Sequence, residues 1–246
     1  MNVGVKIKSG LWMAYFIMTG AVLGGVLCSL VYLPCFLVRR WSDKADHVCD
    51  WIIEKGIFIL MSIQPWLSAK VDLRLTHGTK GKLIVSNHRS HLDTFFLLAH
   101  VRRVQVLAKK TLFFMPFIGV MMRATRQIPT QRGRIDSFWN AISIIRERLR
   151  RGETVHVFPE MTRCPPGYRG TQEFTLAPFT IAFQEGISVF PVVFQGTDSV
   201  WPKGAFGLRS GRPVTVQTLP CVDPRGFPGP EELRTEVRRR INEALA

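Results

Sequence analysis

The stretch Leu83–Phe96, LIVSNHRSHLDTFF, sets two histidines, an asparagine and an aspartate between apolar runs. Imidazoles and carboxylates are the groups that general acid–base catalysis uses most, and His88 and Asp93 stand five residues apart. On one helix, positions five apart point about 140° away from each other, so the two could not pair there. They can pair if His88 sits in a tight strand-to-helix connection and Asp93 in the first helical turn. The carboxylate then reaches back to the ring, fixes its tautomer and stabilises the imidazolium as it forms. No serine or cysteine nucleophile is obvious, so such a base would activate a substrate hydroxyl directly. A simpler role competes for the same residues. Ser90 and Asp93 also suit a helix N-terminus, with the hydroxyl as cap and the carboxylate at the third position. For Asp93 alone capping is the commoner role, and the two roles are compatible. His91, next to that cap and without a spaced partner, reads as structural or substrate-facing.

The elements around this stretch must place it. Apolar, β-rich runs occur at Val71–Leu75, Leu83–Ser86, Val104–Ala108, Gln127–Thr130, Thr154–Phe158, Ile187–Phe194 and Val214–Leu219. Helical patterns lie between several of them. Phe138, Ile142, Ile145 and Leu149 recur at spacings of four and three, and Leu233, Val237, Ile241 and Leu245 at four. Pro230 suits the first turn of that last helix. Alternating strands and helices predict an α/β domain over residues 68–246, a mixed sheet flanked by helices. Loops beyond the strands' C-terminal ends are the usual place for a site, and His88 falls in one.

The chain of 246 residues is 46% hydrophobic, enough for one sizeable domain and an extra segment. Its formal charge is +15, from 33 Lys and Arg against 18 Asp and Glu. That surplus predicts acidic partners: nucleic acid, anionic lipid, a phosphorylated substrate or an acidic carrier. The five cysteines, Cys28, Cys35, Cys49, Cys164 and Cys221, include no C-x-x-C pair, which indicates neither a disulfide framework nor a zinc site. The N-terminus chooses among the acidic partners. Leu11 to Val38 holds no charged residue, a run of 28. As a helix it would reach roughly 42 Å, beyond the roughly 30 Å of a hydrocarbon core. Gly20, Gly24 and Gly25 could kink it or turn it back. Arg39, Arg40 and Lys44 after the run, against Lys6 and Lys8 before it, favour a cytoplasmic C-terminal side if it spans. Trp51–Trp66, apolar but broken by Glu54 and Lys55, reads equally as an interfacial or a core helix. Residues 1–67 are therefore expected to form a membrane-embedded helical segment. A membrane-associated enzyme or adaptor is favoured over a nucleic-acid binder.

Four ordered blocks carry a family resemblance. NHRSHLD is similar to the N-H-x-x-x-x-D signature of the glycerolipid acyltransferases, of the lysophosphatidate acyltransferase type. KKTLFFMPFIGVMMRATRQIPTQR resembles a second family block through Lys109, Leu112, Pro116, Gly119 and Arg132. VFPEMTRC resembles F-P-E-G-T-R-S through Phe158, Pro159, Glu160, Thr162 and Arg163. GISVFPVVFQGTDSVWPKG is similar to a fourth through Gly186, Pro191, Val192, Gly196 and Thr197. The chain departs from the pattern at Met161, where glycine is usual, and at Cys164, where serine is common. A following F-K-x-G element is replaced by EFTLAPF, without its lysine. Glycine's loss restricts the backbone if φ must be positive.

The resemblance implies a membrane-bound O-acyltransferase that moves an acyl group from a thioester, acyl-CoA or acyl carrier protein, to a lysolipid hydroxyl. The implied acceptor is 1-acylglycerol 3-phosphate, and the implied catalytic pair is His88 and Asp93. Arg132, Glu160, Thr162 and Arg163 would place the acceptor: the arginines by gripping its phosphate, Glu160 by holding the acceptor or bracing the arginines. A thioester is already activated, so no metal or bound cofactor is expected. Another lysophospholipid or an aminolipid is the alternative acceptor that Met161 and the missing lysine motivate. A basic membrane adaptor is the non-enzyme alternative. The expected partners are membrane lipid, the lysolipid and the thioester donor, with the catalytic domain facing the cytoplasm and no nucleic acid.

Overall fold

The structure is a computed structural model and describes residues 3–27, 30, 34, 43–75, 81–115, 118–131 and 133–246. A seven-stranded sheet runs in the order β1-β7-β6-β2-β5-β3-β4. Its strands are β1 (Ser68–Asp72), β2 (Lys82–Ser86), β3 (Val104–Lys109), β4 (Ile128–Thr130), β5 (Thr154–Val157), β6 (Val189–Gln195) and β7 (Pro213–Thr218). All neighbours pair in parallel except β6 with β7. The sheet is therefore mixed, with β2 at its centre. The expected strand runs match these strands to within a few residues.

The pleat sends alternate residues to opposite faces. Ile84 packs on one face with Phe96 of α3 (Leu92–His100), while Leu83 and Val85 pack on the other with Ile145, Phe179 and Val237. Those last three come from α5 (Ile135–Arg150), α6 (Ala177–Glu185) and α8 (Pro230–Leu245). Two cores result, one per face. The remaining short helices are α4 (Ile118–Ala124) and α7 (Thr197–Val200).

The N-terminal helices α1 (Val3–Leu27) and α2 (Asp43–Ser62) join the first core. Phe16 of α1 makes edge contacts with Trp66, Phe95 and Trp201 at 5.8, 5.5 and 6.1 Å. Ile53, Ile57, Leu60 and Met61 of α2 are buried. Trp66 is also buried, its indole N–H donating to Gln64 Oε1 at 2.9 Å, so it serves as a core residue rather than an interfacial anchor. The helices before residue 68 thus share a core with the sheet. The other sides of α1 and α2 stay exposed and apolar, through Ile7, Leu11, Ile17 and Met18, and through Trp51 and Ile59. Among the described residues one helix, Gly4–Leu27, is long and apolar enough to cross a membrane. The second half of the expected uncharged run, with Arg39 and Arg40, lies mostly outside the described residues.

Candidate active site

The turns that follow β2 and β5 meet above the sheet's C-terminal edge. β2 ends at Ser86, and Asn87 clamps the chain beyond it. The Asn87 amide donates to Phe194 O and its Oδ1 accepts from Phe194 N, both at 2.8 Å. This two-point bond to β6 fixes the turn where His88 begins. The α3 helix starts four residues later, and Asp93 in its first turn is fully buried. Asp93 Oδ2 accepts from His88 Nδ1 at 3.0 Å, from Arg89 N at 2.7 Å and from Ser90 N at 2.8 Å. Ser90 Oγ accepts in return from Leu92 N at 3.3 Å. Asp93 therefore orients a ring and satisfies two main-chain amides of the turn before α3 at once, while His91 holds the helix's cap position without a side-chain cap bond. With Nδ1–H directed at the carboxylate, Nε2 carries the ring's lone pair.

The β5 turn holds His88 from the other side. Phe158 lies beyond the strand's last residue, and its ring stacks on the His88 imidazole at 3.7 Å and 19°. Glu160 Oε1 accepts from His88 N, and Cys164 N donates to His88 O, both at 2.8 Å. The main chain of His88 is thus tied at both its donor and its acceptor. Glu160 Oε2 accepts from the Cys164 thiol at 2.8 Å and from Gln172 N at 2.9 Å. Both oxygens of this buried carboxylate are engaged inside the protein, one of them with the His88 main chain. Burial first, then the bond to Glu160, pushes the Cys164 thiol up to about 11, so it stays protonated and donates.

Met161 has φ +55°, the left-handed region that a side chain disfavours. The departure from glycine falls where the backbone needs glycine's freedom. A Met161 N–H bond to Phe158 O at 3.0 Å closes the tight turn. Thr162 Oγ1 accepts from Lys203 Nζ at 3.2 Å, and the same ammonium donates to Arg163 O at 2.8 Å. Arg163 lies near His91. His91 is exposed as a residue, yet desolvation of its ring, then Arg163 and His88, lowers its pKa to about 4. Its ring tilts against Trp201 at 5.0 Å. Arg132, the other expected phosphate ligand, lies outside the described residues. Gly119 of the same block packs where a Cβ would come within 2.2 Å of Phe113 O.

Several supporting residues escaped the sequence reading. Arg89 is buried and donates to Tyr168 O at 2.7 Å and Gly170 O at 2.9 Å, with Asp198 at 3.6 Å. His156, fully buried in β5, meets Ser86 Oγ through Nε2 at 2.8 Å and sets its ring edge-on to Phe158 at 4.3 Å. Burial, then His88, lowers its pKa well below the ordinary value. A histidine inside a buried strand run was the available signal, since a buried polar group needs a partner. Arg89 offered none, because an arginine in a turn reads as solvated. An open basin of about 450 Å³ adjoins the site, walled by Pro166, Asp198, Lys203 and Arg209. Among the described residues no group of three or more His, Cys, Asp or Glu side chains is arranged to hold a metal ion.

Comparison with known proteins bears on the family and the fold. Residues 70–195 match the family model described as Acyltransferase. A chloroplastic 1-acyl-sn-glycerol-3-phosphate acyltransferase from Brassica napus is 33% identical over 184 residues, 73% of this chain and 51% of that protein. The corresponding Arabidopsis thaliana protein is 33% identical over 158 residues, 63% of this chain and 44% of its own length. The chain thus spans about half the length of these relatives. The crystal structure of the 1-acyl-sn-glycerophosphate acyltransferase PlsC from Thermotoga maritima superposes with a TM-score of 0.78 at 27% identity, covering 98% of this chain and 95% of that one.

Proposed function

The chain belongs to the acyltransferase family, and from that premise we propose that it moves a fatty acyl group from a thioester to a lysolipid hydroxyl. The acceptor we favour is 1-acylglycerol 3-phosphate, and the product phosphatidic acid. The observation that carries the reading is the His88–Asp93 contact at 3.0 Å, with the histidine main chain held at both ends. In the proposed step the acceptor oxygen attacks the thioester carbonyl carbon as His88 Nε2 takes its proton. Asp93 stabilises the imidazolium. The tetrahedral intermediate then expels the thiolate, which receives that proton from His88. The ester bond forms, the thioester bond breaks, and His88 returns to neutral.

Arg163, beside His91, together with Arg132, would grip the acceptor's phosphate, since a guanidinium offers paired donors to phosphate oxygens. The donor would be acyl-CoA or acyl carrier protein, and no further cofactor is required by this chemistry. The exposed apolar sides of α1 and α2 support attachment to a membrane, with the catalytic domain on its cytoplasmic side. Met161 favours a second acceptor reading, another lysophospholipid or an aminolipid, because it crowds a turn that the family builds with glycine.

Purified protein in lipid vesicles, supplied with acyl-CoA and a panel of lysolipids, tests both. Thiol release coupled to phosphatidic acid, identified by mass spectrometry, is the expected result. Acylation of a different lysolipid in preference would replace the acceptor, and absence of thiol release with every donor and acceptor would remove the reading.

A further inference from the structure

Neither α1 nor residues 199–222 of this basic chain holds an acidic residue. They touch where Phe16 meets Trp201 and again at Ser9. Leu208 N donates to Ser9 O at 3.1 Å, and a Cβ on Gly207 would lie 2.2 Å from Ser9 Oγ. The contact anchors the loop of residues 202–209 to the apolar helix. At the other end the same segment is tied to both turns around His88. Trp201 O accepts from Ser90 Oγ at 2.9 Å, and Lys203 Nζ bonds Thr162 Oγ1 and Arg163 O.

Between these anchors Phe206 is 96% exposed. One exposed phenylalanine is ordinary on a soluble surface. This one stands on a loop fastened to the helix that is apolar enough to cross a membrane. Its neighbours Lys203, Arg209 and Arg212 are exposed cations, and so are Lys6 and Lys8 on the anchoring part of α1. An aromatic ring in the interface with cations at the headgroups is the combination that binds anionic bilayers.

We propose that the loop of residues 202–209 is a membrane contact additional to α1 and α2, in which Phe206 enters the interface of an anionic bilayer. The proposal rests on the reading of a membrane-bound acyltransferase and adds a route for its acceptor. Lys203 holds the Thr162–Arg163 segment, so seating the loop on the bilayer presents the acceptor-binding turn to the surface where the lysolipid lies.

The test uses the full chain with Phe206→Trp, on phosphatidylcholine vesicles with and without phosphatidylglycerol. The chain has 6 tryptophans, so the signal is the difference between variant and parent. The added emission should shift to the blue and be quenched by brominated acyl chains on the anionic vesicles. Emission that stays unquenched there overturns the proposal. A kinetic arm uses Phe206→Asp with two acceptors. The apparent KM for vesicle-embedded lysophosphatidate should rise about tenfold, the order expected for withdrawing one phenyl ring from the interface. The KM for a short-chain, monomerically dispersed lysophosphatidate, and kcat for both, should stay within about twofold. Equal losses on both acceptors would mean a folding role and would overturn it too. If the parent acylates no lysolipid, the enzymatic reading fails, and the quenching arm still decides whether the loop meets the bilayer.

Discussion

The turn after β2 and the turn after β5 both grip His88, and they do it by different means. From Asn87 to His91 every residue keeps negative φ, and the turn is fixed by hydrogen bonds between side chains and main chain. Asn87 makes two to β6, and Asp93 accepts three within its own turn and helix start. From Phe158 to Cys164 the turn includes a methionine with left-handed backbone, and it depends on a buried carboxylate shared with a thiol. The first turn is over-determined and carries the groups proposed to move the proton. The second carries the groups proposed to face the acceptor, and it tolerates a strained residue. Acid–base geometry that must hold to a fraction of an ångström belongs on the redundant turn. A loop that meets a variable substrate is easier to alter.

The largest effect should come from the first turn. His88→Ala should lower acyl transfer by about 10²–10⁴-fold, the usual worth of a general base. Asp93→Asn should also cut the rate heavily, because the amide cannot stabilise the imidazolium. Circular dichroism must show His88→Ala folded. Near-normal turnover of that folded variant would break the assignment of chemistry to this turn.

The second turn should respond less, and in a different parameter. Arg163→Lys preserves charge and loses the paired donors, so the acceptor KM should rise by about tenfold with the donor KM less changed. Steady-state kinetics with the acceptor varied at saturating donor decides it; unchanged acceptor KM and kcat would separate Arg163 from the phosphate. Glu160→Gln lies between the two turns. It keeps a carbonyl for His88 N and misplaces an amide before the thiol and Gln172 N. An unsatisfied buried donor costs about 1–3 kcal/mol, so midpoint shifts in urea unfolding should accompany a lower kcat. A normal kcat with lowered stability would mean that the brace supports the fold and not the geometry of His88.

Acid should act on both turns through the two depressed histidines. His156 is held neutral in the fold by burial and then by His88, and His91 is held at about 4 against an ordinary 6.5. The unfolded chain takes up those protons first as the pH falls. The stability associated with neutral rings is therefore fully present above about 6.5 and is lost progressively below it, for His91 down to about 4. Urea unfolding at pH 7.5, 6 and 5 should show a falling midpoint, and His91→Gln should flatten part of the fall. An unchanged slope in His91→Gln would show that its ring is not desolvated as the packing against Trp201 suggests.

The strands were legible as apolar, β-rich runs, as at Leu83–Ser86, and the longer helices by their apolar periods, as at Leu233–Ile241; the short helices Ile118–Ala124, Ala177–Glu185 and Thr197–Val200 were not. The approach of Asp93 to His88 was legible as a condition: a loop for His88 and a first helical turn for Asp93, which the strand and helix patterns on either side favoured. The support around them was not. Glu160 reads in its motif as holding the acceptor or bracing the arginines, and no local pattern shows that its carboxylate also meets the main chain of His88, 72 residues away. Arg89 looks like surface charge until the carbonyls of Tyr168 and Gly170 close on it. Trp66 closes a run that reads equally as interfacial or core, and the packing of Phe16 against it places it in the core. In each case the deciding partner comes from another element, and local pattern carries no information about it. Met161 is the reverse case. The missing glycine was visible, and only the backbone angle shows what it costs.

That cost is the smallest effect and the sharpest test of the contrast between the turns. A non-glycine residue held in the left-handed region stores about 1–3 kcal/mol of strain. Met161→Gly removes the strain and gives back roughly 0.5–1 kcal/mol through the greater freedom of an unfolded glycine. The net expectation is a stability gain of about 1 kcal/mol, unless the half-buried methionine side chain contributes packing of its own. Thermal unfolding gives the sign. If Met161→Gly raises the midpoint and improves use of lysophosphatidate, the strain serves no selectivity and the second turn is simply permissive. If it raises the midpoint and shifts preference between lysophosphatidate and another lysolipid, the side chain at this strained position selects the acceptor. A lowered midpoint with unchanged acceptor use would place Met161 among the residues that hold the fold, and the two turns would then differ in conformation but not in purpose.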